Sequence, residues 1–230
     1  MYKSMLITDI RNNFLTAYNS GQFTTDKTGC KTIEILGASF IADEPSIFGE
    51  VNEDYVTREL AWYLSQSLRV DDIPGDVPKI WQQVASKGGY INSNYGYLVW
   101  HEKNYNQYQN VLLELRTNPN SRRAVMIYTR PSMHYEYNTD GMSDFICTNT
   151  VQYQIRDGRL QTVVQMRSND AWAGYRNDYA WQCHVQHALA DDLGILPGDI
   201  VWQVGNLHLY ERQFYLVEHY AKTGEIYKQK

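Results

Sequence analysis

The spacing of apolar and polar residues changes period several times along the chain, and each change marks an element. Residues 6–18 carry Ile10, Phe14 and Leu15 on one face at helical spacing, with Thr8 or Asp9 placed to cap them, which predicts a short amphipathic helix. The run 31–42, Lys-Thr-Ile-Glu-Ile-Leu-Gly-Ala-Ser-Phe-Ile-Ala, reads as a strand and follows a turn at Asp26-Lys-Thr-Gly. Residues 53–67 return to the helical period, with Val56, Leu60, Tyr63 and Leu64 as the stripe and Glu59 beside it. Pro74-Gly and Pro78 break the pattern over 68–79. Residues 80–85 and 103–116 read as helices, and the Gly/Asn/Tyr-rich stretch 87–96 as a loop.

After Asn118-Pro-Asn120-Ser-Arg-Arg the chain turns extended, with a strand at Ala124–Tyr128. Asp157-Gly158 lies between runs near 146–156 and 159–167 and has the composition of a type I′ hairpin turn. A helix over 177–193 ends at Gly194, Pro197-Gly-Asp makes a turn, Ile200–Leu209 is a strand, and 210–222 is a final helix. No repeat, low-complexity segment or linker interrupts the pattern. It predicts one α+β domain over 1–230, a mainly antiparallel or mixed sheet with helices packed on it.

Composition narrows the classes. The chain has 230 residues, 43% hydrophobic and 20% charged, the range of soluble globular proteins able to bury a core. A net charge of −5 disfavours broad binding to nucleic acid, so no direct nucleic-acid partner is expected. No run approaches the ~20 apolar residues of a membrane-spanning helix, and the N-terminus has no signal-peptide pattern. Cys30, Cys147 and Cys183 are odd in number and lack CxxC spacing, which argues against a disulfide framework and fits a reducing cytoplasm. His184 and His187 have no third ligand at zinc-site spacing, so no metal is expected. Nineteen tyrosines and six tryptophans serve either a core and interface or surfaces for stacking heterocycles.

The chemistry concentrates around Cys147. It stands in Ser-Asp-Phe-Ile-Cys-Thr-Asn-Thr, a polar setting that a plain core cysteine does not need. The hairpin turn brings it back toward Gln165-Met-Arg-Ser-Asn-Asp170, and Gly174-Tyr-Arg-Asn-Asp178 follows. A thiol near a guanidinium is biased toward the nucleophilic thiolate. Arg122 and Arg123 form an adjacent pair at a turn, able to neutralise a phosphate or simply to be solvated; Lys27 carries the same two readings. No GxxxxGKS/T or GxGxxG occurs, so a bound nucleotide would be held by arginines. His208 alternates with Asn206 and Tyr210, either a ligand-facing or a solvent-facing edge of one strand.

These segments carry a resemblance. Gln-Met-Arg-Ser-Asn-Asp with its following Gly and Asn-Asp, Asn-Pro-Asn-Ser-Arg-Arg, and Leu-His-Leu-Tyr resemble the signature segments of the thymidylate synthase family, in order from Asp26-Lys-Thr-Gly to Leu207-His-Leu-Tyr. Pro-Lys-Ile-Trp-Gln-Gln-Val-Ala-Ser, Tyr-Thr-Arg-Pro-Ser-Met and Gly-Met-Ser-Asp-Phe-Ile-Cys-Thr-Asn-Thr-Val-Gln-Tyr are similar to its deoxycytidylate-hydroxymethylating branch, known from large tailed bacteriophages. The resemblance implies a symmetric homodimer on a large mixed sheet, with each active site shared between subunits. It implies methylenetetrahydrofolate as one-carbon donor and dCMP as acceptor, in the cytoplasm of a host cell. Membership of a viral nucleotide-synthesis complex stays open.

By position, the resemblance assigns Cys147 as nucleophile at C6 of the base, Glu59 as proton-relay carboxylate, and Tyr95 near the reacting carbon. Arg167, Ser168 and Lys27 would hold phosphate, joined by Arg122 and Arg123 of the second subunit. His208 and Tyr210 would hold the sugar hydroxyl, and Trp81, Asp170 and Gly174 would line the folate site. Two departures from the synthase matter. Asp178 stands where the synthase reads uracil with an asparagine, and Thr148 stands where a histidine usually follows the nucleophile. The chain also ends Glu-Ile-Tyr-Lys-Gln-Lys, without the synthase's apolar tail. The expected activity is hydroxymethyl transfer to dCMP; the alternatives are a thymidylate synthase and a hydroxymethylase acting on dUMP or CMP.

Overall fold

A computed structural model describes residues 4–228. In chain order its first elements are α1 (Ile7–Asn19), β1 (Thr24–Thr25), β2 (Lys31–Ile41), α2 (Glu53–Ser65), α3 (Lys79–Val84), α4 (Tyr95–Trp100) and α5 (Gln107–Thr117). Then come β3 (Val125–Ile127), α6 (Met133–Glu136), β4 (Thr148–Arg156), β5 (Arg159–Asp170), α7 (Ala173–Leu193), β6 (Leu196–Tyr210) and α8 (Phe214–Thr223). Two compact units emerge. The first is Met1–Val51 with Gln161–Gln186 and Gly198–Lys230; the second is Asn52–Leu160 with His187–Pro197.

In the first unit β2 pairs antiparallel with β1 and, over nine partners from Thr32 opposite Tyr210 to Ile41 opposite Val201, with β6. On the other edge of β6 lies β5. The Gln165 side chain reaches Gln203, and the Asp199 N–H donates to Gln161, both with an offset of 38 residues. A constant offset means parallel strands, and α7 supplies the crossover that a parallel pair requires. The sheet is therefore mixed, as the sequence resemblance implies.

The buried positions of these strands change parity partway along. In β6 they are Ile200, Trp202 and Val204, then Leu207 and Leu209; in β5 Thr162, Val164 and Met166, then Asn169; in β2 the apolar ones are Ile33, beside the buried Thr32, then Ala38 and Phe40. The switches coincide with Gly205, Arg167 and Gly37. Gly37 has φ +66, and a Cβ on Gly205 would sit 2.9 Å from the Arg167 carbonyl oxygen. A side chain at 205 would push the strands apart. Beyond the switch Ser168, Asp170, Asn206, His208 and Tyr210 all stand on the face away from the core.

Several expectations are corrected here. Leu6, not Thr8 or Asp9, is the N-cap of α1; Asp9 lies inside the helix and its carboxylate accepts the Leu6 N–H at 2.9 Å. Pro197-Gly-Asp is the start of β6, not a turn, because Gln161 on β5 captures Asp199 and lies against Gly198. The inward face of α2 is Glu59, Trp62 and Tyr63, while Leu64 is exposed. Tyr105 and Asn106 both adopt left-handed conformations, so 103–116 splits into a short 3₁₀ turn and α5. The short helices α4 and α6 were not expected from the pattern.

In the second unit β3 and β4 pair antiparallel, Val125 opposite Gln152. Asp157 and Gly158, which end β4's excursion, have φ +52 and +70, the two left-handed residues of a type I′ turn. Asn94 caps α4 by accepting the Tyr97 N–H at 2.8 Å and donates to the Trp62 and Ser67 carbonyls, fixing α4 against α2. The approach is so close that a Cβ on Gly96 would fall 1.7 Å from the Tyr63 carbonyl oxygen. Gly96→Ala should therefore cost about 3 kcal/mol, the upper end for overpacking, in urea unfolding; a wild-type midpoint would mean that α4 is not held where we describe it.

Candidate active site

Cys147 is the last residue before β4, half-buried, with its thiol 3.8 Å from the Phe145 carbonyl oxygen. The next residue, Thr148, is fully buried and its hydroxyl bonds the Tyr95 hydroxyl at 3.0 Å. Tyr95 is the first residue of α4. It stacks on Tyr63 of α2 (5.2 Å, 26°) and meets Tyr128 edge-on (5.2 Å, 87°). The residue after Cys147 thus holds a phenol whose ring is fixed on two sides. Thr148, one of the polar residues that set Cys147 apart in the sequence, serves this framework.

Glu59 projects from the inward face of α2 and is 5% exposed. Its Oε1 accepts the Tyr55 hydroxyl at 2.5 Å, and the Tyr55 oxygen in turn accepts the Trp81 indole N–H at 2.9 Å. Trp81 packs edge-on against Trp62. Burial among these rings pushes the Glu59 carboxyl up to about 7, with the Tyr55 and Trp81 hydrogen bonds opposing the rise. Burial and the adjacent Glu59 carboxylate push the Tyr55 phenol up. A carboxyl that titrates near neutrality can both give and take a proton, which suits a relay.

Arg122 and Arg123 lie exposed on the turn between α5 and β3, above a shallow hollow lined by residues 117–123. Arg123 pairs with Glu114 at 3.2 Å, and Ser121 also donates to that carboxylate. The Ser121 hydroxyl, with Arg123, holds the Glu114 carboxyl below its usual value.

The first unit carries the remaining residues. On α7, Asp178 accepts the Asn169 amide at 2.8 Å, and the Asn169 oxygen accepts the Trp202 indole N–H at 3.3 Å. Gly174 makes room for this pair: a Cβ there would come 3.1 Å from the Asn169 amide nitrogen. The residue assigned to the base is therefore oriented by a buried asparagine, itself oriented by a buried tryptophan. Asp170 accepts the Trp172 N–H at 2.8 Å, and burial pushes its carboxyl up against the pull of that bond, His208 and Arg212. His208 meets Tyr210 edge-on at 5.1 Å, and the Arg212 guanidinium lies over Tyr210 at 4.3 Å. Burial pushes the Tyr210 phenol up, with the Asp170 and Asp26 carboxylates adding to the rise.

Lys27 is exposed in the turn where Asp26 accepts the Thr28 hydroxyl and N–H and the Cys30 N–H at 2.7–2.9 Å. The Thr28 hydroxyl bond leads in holding the Asp26 carboxyl down. Arg167 and Ser168 follow at the parity switch of β5. Cys183 is a packed residue on α7, its thiol pushed up by burial, and His184 stacks on Trp181.

Within the second unit the structure joins Glu59 to Trp81, and Tyr95 to the segment of Cys147. Within the first it gathers Asp170, His208, Tyr210 and the Asp26–Lys27 turn, and sets Asp178 beside Gly174. Trp81, assigned to folate by resemblance, is also hydrogen-bonded through Tyr55 to Glu59. Pattern reasoning missed Tyr55, Asn94 and Asn169, and it marked Asp144 only as part of the polar setting of Cys147, without its partners. Tyr55 and Glu59 are four residues apart on a helix, a spacing that carries such a pair; the other three act through folding contacts that no spacing reveals.

These features define a class. The thymidylate synthase family model matches residues 11–225, and the chain belongs to the thymidylate synthase family. The proteins named deoxycytidylate 5-hydroxymethyltransferase of Enterobacteria phages T4 and T2 are each 58% identical to it over 231 residues, covering 97% of this chain and 94% of their own. The thymidylate synthase of Vesicomyosocius okutanii is 25% identical over 210 residues, covering 87% of this chain and 78% of its own.

The raised Glu59 pKa has a signed consequence. Between 4.5 and about 7 the folded chain keeps a proton that the unfolded chain has released, so this site's contribution to stability falls as pH rises through that window. Glu59→Gln removes the dependence. Its stability relative to wild type should increase by up to about 3 kcal/mol from about pH 4 to about pH 8 in urea unfolding; a pH-independent difference would place the carboxyl in solvent.

Proposed function

We propose that this chain transfers a hydroxymethyl group from 5,10-methylenetetrahydrofolate and water to C5 of dCMP, giving 5-hydroxymethyl-dCMP and tetrahydrofolate, with residues 1–230 working as one catalytic domain. The observation that carries this reading is the carboxylate of Asp178, held by Asn169 where the family's synthases have an asparagine. Identity of 58% to two relatives named for the same activity supports it. Cytosine offers an N4 amino donor and an N3 acceptor. A carboxylate accepts from N4, and one shared proton bridges it to N3. Protonation at N3 also helps the ring accept a thiolate at C6.

The Cys147 thiolate adds to C6 and makes C5 nucleophilic. C5 bonds the methylene carbon that the folate supplies, a base takes the C5 proton, and the carbon–nitrogen bond breaks as the departing tetrahydrofolate nitrogen takes up a proton. Water then adds to the exocyclic methylene, and the thiolate is expelled from C6. Glu59, poised near neutrality, takes the proton of that water. Tyr95, its ring fixed by Tyr63 and Tyr128, stands near the reacting carbon. Arg167, Ser168 and Lys27 hold the phosphate, and His208 and Tyr210 the sugar hydroxyl. The pterin is planar and rich in N–H donors, and the residues assigned to it fit: Trp81 offers a ring locked by Tyr55 and Trp62, and Asp170 an acceptor. The folate pool and nucleotide pool place the reaction in the cytoplasm of a host cell.

We further infer a homodimer with shared sites. Leu36 is 73% exposed on the sheet face opposite the first unit's core, where Val163 and Val201 also stand. Exposed apolar side chains on a face that also carries the paired Gln165 and Gln203 suit contact with a second copy. Arg122 and Arg123 then serve the other subunit's phosphate. Arg123→Ala and Cys147→Ala chains, each inactive alone, should regain activity when mixed, because one hybrid site is intact. Subunit exchange without recovery would overturn the shared site.

Asp178→Asn tests the base. Facing uracil, a carboxylate meets the O4 acceptor with no donor between them, a loss of about 1–3 kcal/mol or more. An asparagine instead accepts from N3–H and donates to O4. The variant should lower kcat/KM for dCMP and raise it for dUMP, shifting the ratio by about ten- to several-hundred-fold in competing-substrate tritium release from C5. An unchanged ratio would mean that Asp178 does not read the base.

A further inference from the structure

We propose that Asp144 is a positioning residue for Cys147, an assignment that rests on the function proposed above. Asp144 lies three residues before the nucleophile and is 7% exposed. Its Oδ2 accepts the Asn92 and Ser93 N–H groups at 2.7 and 2.8 Å, and its Oδ1 accepts the Ser93 hydroxyl at 2.7 Å. The Asn92 amide also reaches the Asp144 carbonyl oxygen at 3.4 Å. One buried carboxylate thereby binds the approach to Cys147 onto the segment that leads into α4.

The second tie lies on the other side of the nucleophile. Thr148 bonds Tyr95, which begins α4 two residues after Ser93. The five residues 144–148 are thus tied at both ends to the four residues 92–95. With its flanks fixed, Cys147 has little backbone freedom. The same four residues include Asn94, which is bonded to the Trp62 and Ser67 carbonyls beside and beyond the end of α2, the helix that carries Glu59. Asp144 therefore sets the position of the nucleophile relative to Tyr95, and through Asn94 relative to Glu59. Accurate placement of reacting groups is worth orders of magnitude in rate and little in ground-state affinity. A shape-matched amide oxygen would keep the two backbone bonds, and only the third, from the Ser93 hydroxyl to Oδ1, would have to reverse, with the amide NH2 donating to the hydroxyl oxygen.

The experiment measures three quantities on Asp144→Asn, Ser93→Ala and Ser93→Thr. They are kcat for tritium release from [5-³H]dCMP with methylenetetrahydrofolate, the dCMP dissociation constant by calorimetry, and the iodoacetamide alkylation rate of Cys147 by peptide mapping. Asp144→Asn should lower kcat at least tenfold, leave dCMP affinity within twofold, and change the alkylation rate at least threefold. Ser93→Ala, which removes a single bond and keeps the backbone ties, should lower kcat about threefold, and Ser93→Thr should restore it. A purely structural role would lower the melting temperature of the variants while kcat per folded molecule stayed at the wild-type value, and that result would overturn the proposal. So would a fall in kcat matched by an equal loss of dCMP affinity. If Asp144→Asn does not fold, the Ser93 pair decides alone. Absence of dCMP turnover by the wild-type protein would refute the proposed function instead, while the alkylation rates still judge the clamp.

Discussion

Asn94 has no exposed surface, yet all of its side-chain hydrogen-bonding groups are used: two donors to the Trp62 and Ser67 carbonyls, one acceptor from the Tyr97 N–H. Each buried polar group left unpaired costs roughly 1–3 kcal/mol, so the three bonds stand or fall together. They fix the start of α4 against the C-terminal end of α2, close enough that only glycine fits at 96. Glu59, Tyr95 and the segment of Cys147 are tied together through that junction. Glu59 lies one turn before Tyr63 on α2; Tyr95 opens α4 and stacks on Tyr63; Thr148 reaches Tyr95 from the other side of the nucleophile.

A different constraint governs the first unit. The polar side chains assigned to a ligand must leave the core face, while the strands that carry them must remain core strands. The parity switch at Gly37, Gly205 and Arg167 resolves the conflict. The apolar alternation of β6 runs through Ile200, Trp202 and Val204, then restarts at Leu207 and Leu209, with Asn206, His208 and Tyr210 on the opposite face. Gly205 is required by the close approach of the Arg167 carbonyl, which ties the strand geometry to the arginine assigned to phosphate.

Much of this was legible. The elements around Ile10–Phe14, the strand 31–42, the Asp157-Gly158 turn and the long helix to Gly194 have strong periodicity and unambiguous punctuation, and each is present. The stripe on α2 was misread because Leu60 and Leu64 are apolar in a region whose inward face is made of Glu59, Trp62 and Tyr63; a carboxylate in that face contradicts any hydrophobic pattern. The α4 helix was hidden for a related reason. Its Asn-Tyr-Gly start has loop composition, and its helicity comes from the Asn94 cap and tertiary packing, which override local propensity. The residues with chemistry were found through family signature segments. Of their supports, Tyr55 is foreshadowed by its i,i+4 spacing from Glu59 and Asp144 by the polar segment around Cys147, whereas the role of Asn169 follows from side-chain geometry alone.

The network around Glu59 also decides which group moves a proton. Tyr55 donates to Glu59 and receives from Trp81, so two proton-bearing groups sit within one hydrogen bond of each other. Their environments push both pKa values up, but from different starting points. Burial brings the Glu59 carboxyl to about 7, inside the physiological range, whereas the Tyr55 phenol, already weakly acidic, is driven further out of it. A group is an efficient general acid or base when its pKa lies near the working pH. Tyr55 therefore remains a donor that orients the carboxylate, and Trp81 fixes Tyr55 in that role. The exchangeable proton belongs to Glu59. The desolvation that makes an acidic residue costly to bury on the inward face of α2 is also what brings its pKa to about 7, the value that the relay proposed for it requires.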